Sequence, residues 1–360
     1  MTAISQADVQ QPNAGTAPLL TRKVLDLAPL FAAAAYPFLL RGFHAAMDWQ
    51  ASGPTPGRIV GAAFFMALAC GVCALGLVFA LRTAGLARPT AFQIKARRLA
   101  YLCIGVPPLY VWFGVVKGFA DLPVATEWAW AGVCLVGASW VVASSTADTA
   151  ARASASSTPS LSPKTIGQLR VAHGIAAATI LAFIAFHLAN HMSALNGQDV
   201  HAAMMDVGRK VYRTPAVEVI LVVLLLLQVA GGFTLAWRWS AAPADIYRVV
   251  QIASGVYLGC FILCHLNTIF IGARLVWDIP TDWDFMTSAP AGLLHSPGHL
   301  IPHYTLGVFF VLGHLLSGLR HVSLTHGLNR TMVNRAWATG LAVSGMIAVA
   351  IMAGLCGLRI

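Results

Sequence analysis

The chain has 360 residues, of which 58% are hydrophobic and only 10% charged, against about 25% charged in an ordinary soluble domain. Apolar surface on that scale excludes a single water-soluble fold and makes lipid the solvent for much of the chain. The net charge of +10 does not point to nucleic acid, because the basic residues sit between apolar runs, where they report membrane topology.

Residues 1–20 lack a basic segment followed by an apolar stretch, so they read as a disordered cytoplasmic tail and not as a secretory signal. Nine apolar runs then follow that are long enough to cross a bilayer as helices, about 20 residues each. They are expected near 26–47, 59–81, 99–118, 127–147, 171–194, 216–237, 249–273, 302–324 and 337–357. Arg41 and His44 interrupt the first, which makes it a short or re-entrant helix in one reading. Cys70 and Cys73 form a CxxC, but in an apolar helix they read as small core residues. Between the fourth and fifth runs, the Ala/Ser/Thr/Pro-rich segment 149–167 has no apolar period and reads as a linker. The expected fold is therefore all-α and polytopic, with four helices over 21–148 and five over 168–360.

Loop charge sets the orientation. With the N-terminus inside, inner segments hold 14 of the 23 Lys and Arg residues, among them Arg82, Arg97, Arg170, Arg248 and Arg330, and outer segments hold seven. The expectation is a multi-pass protein of the bacterial inner membrane with a cytoplasmic N-terminus. A faint internal repeat is visible: GLVFALR at 76–82 resembles GFTLAWR at 232–238, and Tyr101 falls in register with Tyr257.

Ionisable residues inside apolar helices are costly and mark function. Of twelve histidines, nine lie between His173 and His314. His187 and His265 are each 16 residues into parallel helices, hence at one depth, toward the outer face. Two imidazoles so placed suit the iron of a porphyrin approached from opposite sides. His191, one turn from His187, is an alternative ligand or a hydrogen-bonding neighbour. Gln228 and His314 are likewise matched in depth on the two antiparallel neighbours, each followed at i+4 by a glycine, Gly232 and Gly318, that leaves room for a flat group. His295, His299 and His303 have metal-ligand spacing, but Pro297, Gly298 and Pro302 argue for a loop there.

The segments VAHGIAAATILAFIAFHLANH, RTPAVEVILVVLLLLQVAGGFTLAWR, VVQIASGVYLGCFILCHLNT and GHLLSGLRHV, in this order, resemble the five-helix cytochrome b membrane anchor of succinate dehydrogenase and fumarate reductase. The resemblance covers about 168–357. It implies a haem-binding bundle that exchanges electrons with a quinone, alongside separate flavoprotein and iron–sulfur subunits. It assigns His187 and His265 to the iron of one haem b, and Gln228 and His314 to the position of a second. Gln228 departs from the family's histidine, so one haem is expected; a second would require another ligand, such as His173 or His321. Arg320 and His321 match residues near a haem propionate. Glu218, the acidic residue near the outer end of its helix, is the quinone-site candidate. No complete active site is expected on this chain. The alternatives are a multi-helix transporter, or a haem-free sensor or assembly factor that keeps the fold.

Overall fold

A computed structural model describes residues 25–48, 55–151 and 162–360. The tail at 1–20 and most of the 149–167 segment lie outside the described residues. Within them the chain is all-helical, with no strand.

The first helix, α1 (Ala28–Met47), is expected as a span but is not among the helices apolar enough to cross a membrane. Pro37, Arg41 and His44 account for this. It nevertheless packs into the bundle. Leu30, Ala33, Tyr36 and Leu40 share a core with α2 (Pro56–Ala84), α3 (Ala91–Ile104), α4 (Val106–Phe119) and α5 (Thr126–Ala151). Trp130 Nε1 donates to the Ala33 carbonyl at 2.8 Å.

The third expected span is broken. α3 and α4 meet at 74°, at Gly105 followed by Pro107 and Pro108, where the lost amide donors and the fixed proline φ interrupt a straight helix. Among the described residues seven helices are long and apolar enough to span, or eight if the bent pair is one span. Of the nine expected spans, α1 lies outside this set and the 99–118 span falls in the bent pair.

The later helices begin at sequence-legible caps. Ser162 accepts from the Thr165 amide ahead of α6 (Pro163–Met192), and proline at the first helical position adds a preset φ. A 3₁₀ turn (Ser193–Asn196) and Gly197, at φ 109°, lead into α7 (Gln198–Tyr212). This amphipathic helix is absent from the sequence reading. α8 (Pro215–Trp239) follows, then α9 (Ile246–Leu266), capped by Asp245 and continued as a π-helical segment (Asn267–Val276). A short α10 (Trp283–Thr287) precedes α11 (Pro297–Thr325) and α12 (Arg330–Leu355). Outward faces carry Val60, Val136, Trp140, Leu227 and Val349, the apolar exposure expected of lipid contact.

The helices before and after the 149–167 segment share one core. Ala80, Ala84, Ala100, Tyr101 and Ile104 pack with Val249, Ile252, Val256 and Tyr257. Tyr101 and Tyr257, the matched positions of the faint repeat, are thus both buried in it. Arg97 is 1% exposed and binds Thr83 on α2 and the carbonyls of Ser240 and Ala242 beyond α8. Cys70 is exposed and Cys73 buried, and both are free.

Candidate functional site

The site forms around α6. This helix packs on α7, α8 and α12 but stands back from α9 and α11, and few of its residues are buried. Across that gap its histidines meet the histidines of α9 and α11.

Toward one end, His187 on α6 faces His265 on α9 with ring centroids 6.1 Å apart and planes at 67°. Phe183 stacks on His187 at 5.5 Å, and Phe261 stacks on His265 at 5.7 Å with planes only 6° apart. Each imidazole is thereby held in orientation by an aromatic one turn away on its own helix. The two rings line a largely apolar cavity of about 300 Å³, together with Leu221, Leu225, Tyr304 and Arg274. His265 Nδ1 is buried without a hydrogen-bond partner.

The fit to a porphyrin iron can be tested on this spacing. An imidazole nitrogen sits about 2.1 Å from a bound transition metal. With the ring centre about 1.1 Å further, trans imidazoles place their centroids roughly 6.4 Å apart. The observed 6.1 Å meets that requirement. Among the described residues no three His, Cys, Asp or Glu side chains converge as a metal site.

His191 lies 4.6 Å from His187, ring to ring. It also meets His201 of α7, whose Nε2 is 3.4 Å from His191 Nδ1, so it has a polar neighbour. The mouth of the cavity is cationic. Arg274 grips both carboxylate oxygens of Glu218, at 2.9 and 2.6 Å. Arg209 donates to the Thr281 carbonyl at 2.6 Å, Arg213 binds the Thr281 hydroxyl, and Arg209 Nε is buried without a partner. Glu218 therefore stands as half of an ion pair at the cavity rim.

Toward the other end, Gln228 turns to α6: its Nε2 donates to the His173 carbonyl at 2.9 Å. The ring facing His314 belongs to His173, with centroids 6.5 Å apart and planes at 81°. Ser254 Oγ is 3.0 Å from His314 Nδ1. Arg320 lies 3.4 Å over the Tyr247 ring and donates to Asn334 at 2.9 Å, while His321 Nε2 is 2.8 Å from Arg170. Arg248, held to Gln251 at 2.7 Å, lies within electrostatic range of both Arg170 and Arg320.

The sequence-derived residues His187, His265, His314, Arg320 and His321 lie in this region, and His173, named only as an alternative ligand, is the ring that faces His314. The signal was present: His173 and His187 are 14 residues apart, close to four helical turns, and so share a face of α6. The His295–His303 loop is corrected in part. His299 and His303 lie on α11, which starts at Pro297 and carries Pro302 within it. His299 stacks on His44 at 5.2 Å and on Tyr110 at 5.7 Å. Buried His303 packs on Phe261 and Tyr304. Comparison of the chain with family models, with curated proteins and with solved structures gives no match.

Proposed function

We propose that this chain is a polytopic electron-transfer protein of the bacterial inner membrane, which holds haem b between His187 and His265 and exchanges electrons with a quinone. The observation that carries the reading is the pair of facing imidazoles, 6.1 Å apart in an apolar cavity. The resemblance to the succinate dehydrogenase anchor agrees with it. α1, about 30 Å long as a 20-residue helix, completes nine membrane helices with the N-terminus cytoplasmic.

His187 and His265 supply two neutral nitrogen ligands. Phe183 and Phe261 fix their ring planes, and the aliphatic wall excludes water. Bound haem supplies one-electron chemistry at its iron. Arg209 and Arg213, now bound to Thr281, would offer positive charge to the porphyrin carboxylates. Glu218 and Arg274 together present an acceptor and a donor at the rim, a pair suited to hydrogen-bond a quinone. Flavoprotein and iron–sulfur subunits are the partners that the resemblance to the anchor implies.

The test is a reduced-minus-oxidised spectrum of the purified full chain. A low-spin b-type spectrum that is altered in His187→Ala and in His265→Ala is expected. A chain purified without haem under full iron supply ends the reading.

A further inference from the structure

We infer that α7 is a membrane-surface helix whose exposed apolar stripe is sunk among the acyl chains of one leaflet, beside the His187–His265 cavity. The inference rests on the membrane reading of the chain and not on what the cavity holds.

A helix turns about 100° per residue, which sorts the 15 residues of α7 into three arcs. His201, Met205, Gly208 and Tyr212 fall within about 60° of one another and meet the bundle. His201 packs on His191 with ring centroids 5.5 Å apart, and Tyr212 on Phe183 at 5.6 Å. Gly208 lies so close to Phe186 that an added Cβ would clash with its ring. Val200, Met204, Val207 and Val211 make a second arc of about 60°, and its three valines are 47%, 62% and 65% exposed. Asp199, Asp206 and Lys210 make the third, about 40° wide, and all three are exposed. A helix between protein and water needs one apolar arc. Two apolar arcs and one charged arc suit a helix that meets protein, acyl chains and water at once.

The contacts with α6 set the depth. Residues 171–189, between Arg170 and Asn190, contain no Asp, Glu, Lys or Arg. As a helix they rise about 28 Å, close to the hydrocarbon thickness of about 30 Å. His191 stands just beyond that stretch. Phe186 and Phe183 lie within it, the second about 12 Å below His191. α7 touches the three in the order His201, Gly208, Tyr212, so it slants into the bilayer as it runs toward α8. Val207 and Val211 adjoin Gly208 and Tyr212 and are carried to the same depth. The charged arc is left for the headgroups, which Lys210 reaches by its long stem.

Lipid is the occupant that fits. Four side chains offer far less than the roughly 800 Å² that each partner buries in a stable protein interface, which argues against a second copy. The same helix carries Arg209, which lines the cavity and donates to the Thr281 carbonyl at 2.6 Å. The grip of the bilayer on the valines therefore holds one wall of the cavity in place.

The test places a nitroxide on the full chain in vesicles of phosphatidylcholine and phosphatidylglycerol. Cys70→Ser and Cys356→Ser first remove the two exposed thiols. Val200→Cys, Asp206→Cys, Val207→Cys and Val211→Cys are then labelled one at a time. All four positions are exposed, so the core is left as it is. Power-saturation resonance compares collisions with oxygen, concentrated in the bilayer, and with a nickel chelate confined to water. The oxygen-to-nickel ratio is expected to be several-fold higher at Val207 and Val211 than at Asp206, and higher at Val211 than at Val200. Free access of nickel to Val207 and Val211 overturns the inference by placing the helix in water. Exclusion of both reagents there overturns it in favour of a protein partner. Equal ratios at Val200 and Val211 overturn the slant.

Discussion

Arg97 donates through Nη1 to the backbone carbonyl of Ser240 at 3.1 Å, a contact across 143 residues of sequence that ties α3 to the turn after α8. The same group reaches Ala242 at 3.0 Å, and Thr83 through Nε and Nη2. With the side chain 1% exposed, water cannot replace these bonds. Arg97→Met is expected to cost about 3–5 kcal/mol by leaving several acceptors bare. A thermal melt in detergent reads this as a fall in midpoint. Arg97→Lys will not rescue it, because an ammonium cannot fork to acceptors on two helices.

The shared core of α2, α3 and α9 predicts that the chain survives a cut. Two fragments divided within 152–161 and co-expressed are expected to copurify as a stoichiometric pair. Arg97→Met in the first fragment should weaken that association, and size-exclusion chromatography distinguishes the outcomes.

Glu218 and Arg274 form a bidentate pair whose side chains are 25% and 34% exposed. A partly exposed pair is worth on the order of 1 kcal/mol, so Glu218→Gln should move the melting midpoint by only a degree or two. If the pair serves a quinone, the quinol-oxidation rate should fall at least about tenfold, the scale of losing one charge-assisted hydrogen bond. A large midpoint change with an unchanged rate would assign the pair to structure alone.

Asp26 precedes α1, and burial raises its pKa, with Arg82 partly opposing the shift. A carboxyl with a raised pKa binds its proton more tightly in the folded chain. Its contribution to stability is therefore fully present at low pH and is lost as pH rises from the ordinary value of about 3.9 through the folded one. Asp26→Asn should stabilise the chain at pH 7 by less than about 1 kcal/mol, since solvent still screens the group. That gain should vanish in acid, which melts across a pH series will reveal.

Much of this fold was legible because spanning a membrane demands long apolar runs: α2, α6, α8, α9, α11 and α12 all fall where hydropathy places them. Hydropathy is blind to breaks within a run. It read residues 99–118 as one rod, although Gly105, Pro107 and Pro108 bend the path there. It also passed over α7, whose average is polar. In the candidate site, counting residues along α6 and α9 matched His187 with His265, because parallel helices preserve depth. The same count matched His314 with Gln228 and left His173 as an alternative ligand. Depth alone does not say which face of a helix is turned inward, and Gln228 is occupied by the His173 carbonyl.

α6 stands back from α9 and α11 and buries few of its own residues. A helix so sparingly held by its neighbours gains little by docking alone. If a flat prosthetic group fills the gap, much of the adhesion of this helix arrives with it. Maturation then has an order: the rest of the bundle inserts and packs first, and α6 locks down as His187 is claimed. Until that moment the newly made chain exposes a seam that a membrane protease can recognise, so cofactor supply becomes a checkpoint on how much protein accumulates.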